Sequence, residues 1–417
     1  MDQMIRKKIL LGLFVLSVIT VFYSCNFSKN KQQLAFQSTN SNTELSDAFI
    51  GDIFKKSTLH LEAMYPTVKE TGKLPRSIER GFKPIKDWTS GFYPGNLWLT
   101  YAYSENEDLL AKAKLATQLV EEEKYNTKDH DIGFRIYCSF GEGYKLTKSP
   151  KYKEVIIQAA KSAITRFNPK VGAIMSWKPQ PERDWQYPVI IDNMINLELL
   201  FAASKFTGDK IYYDVAVKHA NTTLKYQYRK DFSCSHVIDF DSITGKFRKR
   251  DWNNGNSDPK TAAWSRGQSW GLYGFTMTYR ETGDKKYLKQ AENIASFILN
   301  HPNMPEDFVP YWDYNAPDIP TLRDASAAAI MASAFMELST LSNNNGLKYF
   351  KTGEKILKSL SSPKYFAEPG TNGNFLIKHA TGNFLKNSEL DGTLIYADYY
   401  FLEALTRYKT LKNLNNN

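Results

Sequence analysis

Cysteine and histidine are both scarce in this chain, with three Cys, at positions 25, 138 and 234, and six His among 417 residues. Three thiols cannot make a disulfide framework, and Cys138 and Cys234 lack metal-ligand spacing, so both read as buried thiols. No HxH or HExxH pattern occurs, which leaves His130 and His236 as lone imidazoles and predicts neither a metal site nor a cofactor held by one. Charge is not in excess either. With 24% charged and 42% hydrophobic residues, the composition excludes a disordered chain and predicts a packed one. What is plentiful is aromatic: 14% of residues, Tyr and Trp among them, which suits both the walls of a helical barrel and a sugar-binding cleft.

The N-terminus reads as a targeting signal. Arg6, Lys7 and Lys8 precede an apolar run from Ile9 to Tyr23, which is too short for a comfortable membrane span and ends at Ser24-Cys25. A small residue directly before Cys25 resembles a bacterial lipoprotein signal, with cleavage after residue 24 and lipidation of Cys25; an ordinary secretory signal is the alternative. Either way the mature protein is exported. Asn26-Phe27-Ser28-Lys29-Asn30 lacks the acidic run that resembles a surface-export tag, so the expected location is the periplasm, with the membrane reached only through a lipid. Residues 25–45 read as a linker. An exported protein seldom works on nucleic acid, so the net charge of +10 points to an anionic sugar instead. Its densest cluster, Lys246-Phe247-Arg248-Lys249-Arg250, is either a solvated hairpin strand or a substrate-attracting patch.

From Ser46 onward the apolar spacing is helical, interrupted by Gly, Pro and Asp-rich breaks. Twelve helices are predicted, near 46–63, 94–103, 106–122, 131–147, 150–167, 191–207, 209–228, 264–282, 284–300, 323–341, 346–361 and 391–409. Thr207-Gly208-Asp209-Lys210-Ile211-Tyr212 is matched by Thr282-Gly283-Asp284-Lys285-Lys286-Tyr287 and, more loosely, by Thr147-Lys148-Ser149-Pro150-Lys151-Tyr152. This spacing marks repeated helical hairpins, with Gly208 and Gly283 as C-caps and Asp209 and Asp284 as the N-caps that follow. Hairpins of this kind stack into an open solenoid or close into a toroid. Segments such as 191–206 are apolar nearly all round, as an inner ring would be, whereas 284–300 is amphipathic. The expected fold is therefore all-α, an (α/α)6 barrel over residues 46–412. Short β-hairpin insertions are expected at Val171–Trp177, Ser235–Phe240 and Lys246–Arg250.

The chemically unusual residues gather at the starts of the inner helices, which all run the same way in a closed barrel and so meet at one mouth. Asp131, Asp192 and Asp324 each stand where an N-cap carboxylate would sit, and singly each reads as a cap. Together they read differently. Asp192 lies between Val189-Ile190-Ile191 and Asn193-Met194-Ile195, and a carboxyl in such surroundings with a second acid nearby should hold its proton near neutral pH.

Five ordered segments carry a family resemblance: Trp88-Thr89-Ser90-Gly91-Phe92, His130-Asp131-Ile132-Gly133-Phe134, Ile190-Ile191-Asp192-Asn193-Met194, Trp264-Ser265-Arg266-Gly267-Gln268 and Arg323-Asp324-Ala325-Ser326-Ala327. Together they resemble the unsaturated glucuronyl hydrolases of glycoside hydrolase family 88. The resemblance implies an (α/α)6 barrel that hydrates the C4–C5 double bond of a terminal unsaturated uronic acid on oligosaccharides left by polysaccharide lyases. It implies Asp192 as acid and then base, assisted by Asp131, and Arg266 as partner of the substrate carboxylate. Trp88, Trp177 and Trp270 would be ring-stacking walls, and core packing is the plain alternative for each. His130 and His236 would contact hydroxyls, and Gln268 would belong to the substrate-binding set. The family's Gln upstream of the arginine is replaced by Asn253-Asn254-Gly255-Asn256, and its Ser-x-Ser-x-Lys pattern for sulfated sugars is missing from Asn383–Ser388. Ulvan, gellan, chondroitin, heparin and hyaluronan fragments stay open as substrates. Rival readings are the sister barrel acting on unsaturated galacturonyl-rhamnose, a non-catalytic sugar-binding lipoprotein of helical repeats, and a polysaccharide lyase on the same barrel.

Overall fold

Each amphipathic segment of the sequence becomes one helix of a pair, and the pairs follow one another around a ring. The structure, a computed structural model, describes residues 45–416; the leader 1–24, Cys25 and nearly all of the linker lie outside the described residues. Residues Thr43–Thr410 form one compact unit. The outer helices are α1 (Asp47–Thr71), α3 (Glu107–Leu119), α5 (Pro150–Ile164), α7 (Lys210–Tyr226), α9 (Lys285–Asn300) and α11 (Gly346–Leu360). The inner helices are α2 (Phe92–Ser104), α4 (Glu142–Thr147) with the π-helical stretch Gly133–Gly141 leading into it, α6 (Asn193–Thr207), α8 (Ser265–Thr282), α10 (Ala325–Leu341) and α12 (Ile395–Asn416). Six inside six is the expected (α/α)6 barrel. No helix among the described residues is long and apolar enough to cross a membrane.

Burial follows the ring. On α9 the buried set Tyr287, Gln290, Ala291, Ile294, Ala295 and Ile298 recurs at three- and four-residue steps, a one-sided stripe. On α10 every residue from Ala325 to Met336 is buried, because an inner helix is covered on both sides. The ring closes between the first and last inner helices, where Phe92 of α2 packs against Tyr396, Tyr399 and Tyr400 of α12 at centroid distances of 5.4 to 6.0 Å. Gly95 makes this approach possible: a Cβ there would lie 2.4 Å from the Cys138 carbonyl and 2.5 Å from the Tyr399 ring. The repeat turns are built as predicted, with Gly208 and Gly283 left-handed at φ 75° and 68° and the Asp209 and Asp284 side chains accepting from Ile211 and Lys286 amides. Cys138 and Cys234 are buried free thiols.

Some predicted elements are corrected. Helix α1 runs through Pro66 to Thr71 instead of stopping at 63. The strand expected at 171–177 is a small hairpin of β3 (Phe167–Asn168) and β4 (Ala173–Ile174), and an unanticipated hairpin, β1 (Leu74–Ser77) with β2 (Gly81–Lys83), follows α1. The insertion at 235–250 forms β6 (Val237–Phe240) and β7 (Phe247–Asp251), joined by β5 (Pro188–Ile190) into a three-stranded antiparallel sheet in the order β5-β6-β7. The basic cluster on β7 is neither free nor aimed at substrate. Arg248 binds Asp184 and Asp239, Lys249 donates to the Arg183 carbonyl, and Arg250 donates to the Tyr226 and Tyr228 carbonyls.

Candidate active site

Asp192 owes its position to a strand pairing. Strand β5 pairs with β6 in the register Val189–Ile238 and Ile190–Val237, and the Ile191 amide then donates to the His236 carbonyl at 3.1 Å. The chain turns at Asp192 into α6 while His236 leads into β6, so the imidazole Nε2 ends 3.6 Å from Asp192 Oδ1. The Asp192 side chain makes no capping bond to its helix, and Oδ1 has no hydrogen-bond partner among the described residues. Asp131 likewise leaves its helix start uncapped; its Oδ1 lies 3.2 Å from His130 Nε2. Asp324, by contrast, is a working cap that accepts from the Ser326 amide at 3.1 Å and pairs with Arg266. Of three candidate caps, one caps and two face the cavity.

The two histidines each turn Nε2 towards one of these carboxyls. His130 Nδ1 donates to the Ser176 carbonyl at 2.9 Å, and its Nε2 faces Asp131 Oδ1 at 3.2 Å. His236 Nδ1 accepts the Asn254 amide at 3.0 Å, so its Nε2 carries the proton, directed towards Asp192. Burial pushes His236 down to about 3, with the Arg266 charge adding to it, and the ring is neutral at physiological pH. Burial, then the neighbouring Asp131 charge, pushes Asp192 up to about 7, while Arg266 opposes the shift. Burial also raises Asp131, against the pull of His130. An acid that keeps its proton at neutral pH and has an unpartnered oxygen in a cavity can give that proton to a ligand.

Arg266, 3% exposed, sits in the floor between Trp264 and Tyr396, whose rings lie 4.6 and 5.3 Å from its guanidinium carbon. Its Nη1 is taken by Asp324, Ser326 and the Thr381 carbonyl, and Nη2 donates to the Gly382 carbonyl at 2.6 Å. The Nε edge makes no hydrogen bond to a described residue and remains for a ligand, a geometry suited to a carboxylate. Trp88 and Trp177 form walls of the same cavity, which measures about 260 Å³. That is at the small end for ligand sites and fits one sugar ring rather than a chain.

Over residues 66–281 the sequence matches the profile of Glycosyl Hydrolase Family 88. The chain belongs to glycosyl hydrolase family 88. It is 49% identical over 330 residues to an unsaturated glucuronyl hydrolase of Formosa agariphila, covering 79% of this chain and 81% of that one. It is 32% identical to an unsaturated chondroitin disaccharide hydrolase of Streptococcus pneumoniae, over 86% of this chain and 91% of that one. A solved unsaturated glucuronyl hydrolase described as specific for heparin superposes with a TM-score of 0.84 at 44% identity, over 89% of this chain and 99% of that one. The chain is a glycosidase.

Within this family 88 mouth, Asp131, Asp192, His130, His236, Arg266, Trp88 and Trp177 line one cavity. Gln268 and Trp270 do not, which corrects their placement. Gln268, two residues past Arg266, points away from it and holds the Cys234 backbone in a two-way exchange at 2.9 and 3.1 Å. Trp270, one turn deeper on α8 and fully buried, packs against Phe134 and Tyr400 beneath the floor. Sequence reasoning missed the residues that hold the site. The Ser176 hydroxyl accepts the Ile190 amide and the Asn193 side chain, while its carbonyl accepts from His130. Arg135 ties the Lys86 and Asp87 carbonyls, next to Trp88, to the carboxylate of Asp129, next to Asp131. A lone Arg inside the apolar stretch Phe134–Phe140 was the available signal.

Proposed function

We propose that this protein removes the 4,5-unsaturated glucuronic acid from the non-reducing end of lyase-generated oligosaccharides, with Asp192 as the proton-transfer group. The observation that carries the reading is a half-buried carboxyl, held at about pKa 7 and unpartnered at Oδ1 among the described residues, facing a cavity of one sugar's size floored by an arginine edge. The relatives' activities on unsaturated glucuronyl and chondroitin disaccharides support it. Arg266 takes the uronate carboxylate on its Nε edge. Protonated Asp192 gives its proton to C4 of the double bond, and positive charge develops at C5, shared with the ring oxygen. The Asp192 carboxylate then takes a proton from a water whose oxygen bonds to C5. The hemiketal opens by breaking the bond from C5 to the ring oxygen, and C1 releases the second sugar as an alcohol, leaving an open-chain keto-uronate. One water is consumed. One carboxyl is acid and then base, unlike the two-carboxylate division of ordinary glycosidases. His236 Nε2–H and the His130 imidazole hold the ring hydroxyls and the water. The leader, with its basic residues, apolar run and Ser24-Cys25 junction, supports export and a lipid anchor at Cys25 in the periplasm.

The test is the direction of the ultraviolet change on digests of ulvan, gellan, chondroitin, heparin and hyaluronan, and on unsaturated galacturonyl-rhamnose. Absorbance of the conjugated double bond should fall on at least one digest, in step with release of the second sugar. A rise would mean a lyase, and flat traces throughout would mean a sugar-binding protein. A fall only on unsaturated galacturonyl-rhamnose would move the chain to the sister barrel's substrate.

A further inference from the structure

The chain between β7 and α8, residues 252–264, is irregular, and both of its ends carry parts of the site. Near the start, Asn253 and Asn254 line the cavity, and the Asn254 amide donates to His236 Nδ1 at 3.0 Å. At the end, Trp264 lines the same cavity, its ring 4.6 Å from the His236 ring and 4.6 Å from the Arg266 guanidinium carbon. Such a segment has no ladder of its own, so its buried amides need other acceptors.

Two of those acceptors are the oxygens of Asp313, a fully buried residue that lies outside the cavity lining. Oδ2 accepts the Asn256 amide at 2.9 Å and the Ala263 amide at 3.0 Å. Oδ1 accepts the Asn315 amide at 2.7 Å and the Asn256 side chain at 3.3 Å. One carboxylate thus ties residue 256, two past Asn254, to residue 263, next to Trp264. Gly255 admits the contact: its φ is 96°, and a Cβ there would lie 2.7 Å from Asp313 Oδ2 and 3.1 Å from Trp264 Cβ. An ionised carboxylate only accepts, which suits converging N–H donors, whereas an Asn amide in its place would turn a donor towards one of them.

The consequence falls on His236. A neutral imidazole carries one proton, and the nitrogen that accepts a hydrogen bond is the one without it. With the Asn254 amide on Nδ1, the proton stays on Nε2, 3.6 Å from Asp192 Oδ1. Once that amide is withdrawn, the tautomer with its proton on Nδ1 becomes accessible. We propose that Asp313 is a positioning residue for the reaction, holding the Asn254 amide on His236 Nδ1 and so the imidazole proton on the side of Asp192. The inference rests on the hydrolase reading above and adds to it a residue that acts from outside the cavity.

The experiment reads the His236 tautomer directly, by nitrogen NMR of the full chain labelled at histidine, with His236→Gln used to assign the signals. The unmodified chain should show His236 protonated on Nε2 alone at neutral pH. In Asp313→Asn, and in Gly255→Ala, which disturbs the same contact from the other side, the Nδ1-protonated form should appear. In both variants kcat for an unsaturated glucuronyl disaccharide should fall roughly 10- to 100-fold, as expected when a group beside the reacting atoms is misplaced, with a much smaller change in KM. Ile294→Ala, in the buried stripe of α9, is the comparison for destabilisation alone: it should lower the melting temperature and leave the His236 signals and kcat unchanged. Should Asp313→Asn not fold, Gly255→Ala carries the test. A single Nε2-protonated form in the variants, or a changed tautomer with unchanged kcat, overturns the role of Asp313. Failure of the unmodified chain to hydrate any unsaturated uronyl disaccharide overturns the hydrolase reading instead, while the spectra still decide whether Asp313 sets the tautomer.

Discussion

Asp192 and Asp324 have the same residue type at the same place in the repeat, yet they do different chemistry. Asp324 accepts a helix amide and pairs with Arg266, whereas the Asp192 side chain caps nothing and faces the cavity. Two outcomes follow at this scale. Because Asp192 stands near 7, its proton is available below that value and lost above it, so kcat should fall as pH rises through about 7. In Asp131→Asn the negative charge that helps raise Asp192 is gone, and this alkaline limb of the pH–rate profile should move to lower pH. A limb that stays put would leave Asp131 without an electrostatic role. The misplacement of Gln268 and Trp270 also belongs to this scale. Nearness to Arg266 in sequence suggested a shared face, but on a helix the second residue on turns away and the fourth drops one turn, about 5.4 Å, along the axis.

The elements were legible where the signal was local. Helical periodicity and the Gly-Asp turns located the helices near their observed positions, because caps and apolar stripes are written within a few residues of the elements they govern. Strand β5 was not legible. Pro188–Ile190 is three residues long, and its pairing partner is β6, far along the chain. The π-helical stretch at 133–141 was missed for a similar reason, since its wide turn is fixed by tertiary contacts such as the Phe134 amide with Asn196 Oδ1. Ser176 tests the importance of the β5 connection. Ser176→Ala leaves the Ile190 amide and the Asn193 side chain short of an acceptor in a buried setting, a loss of about 1–3 kcal/mol. Denaturant unfolding should register it, and kcat should fall by a larger factor than KM rises, because Asp192 loses its anchor. Unchanged stability and kcat would mean that the sheet does not hold the acid.

At the scale of the whole molecule, the barrel needs its first and last segments joined beside the mouth. Arg76 on β1 makes a two-pronged bond to Glu389, ahead of α12, at 3.0 and 2.9 Å and also reaches Asp87, near Trp88. No sequence pattern announces a contact across more than three hundred residues, and this clasp went unread. The Glu389 side chain is 4% exposed, and Glu389→Ala would leave Arg76 with Asp87 as its remaining carboxylate and the Ser77 hydroxyl without its acceptor, so a destabilisation of about 1–3 kcal/mol is expected. Against burial, which pushes it up, the Arg76 bond and charge hold the Glu389 carboxyl below its ordinary value of 4.5. The stability it contributes is therefore present above about pH 4.5 and lost as pH falls through the lower folded value, so Glu389→Gln should show a flatter acid limb in a melting-temperature profile. Barrel, sheet and clasp all converge on Asp192. The most direct measurement is turnover of an unsaturated glucuronyl disaccharide by Asp192→Asn, with binding of the same disaccharide measured calorimetrically. Turnover should fall by at least about 10²–10⁴-fold while binding persists; an Asp192→Asn protein that turns over at the unmodified rate would contradict the account.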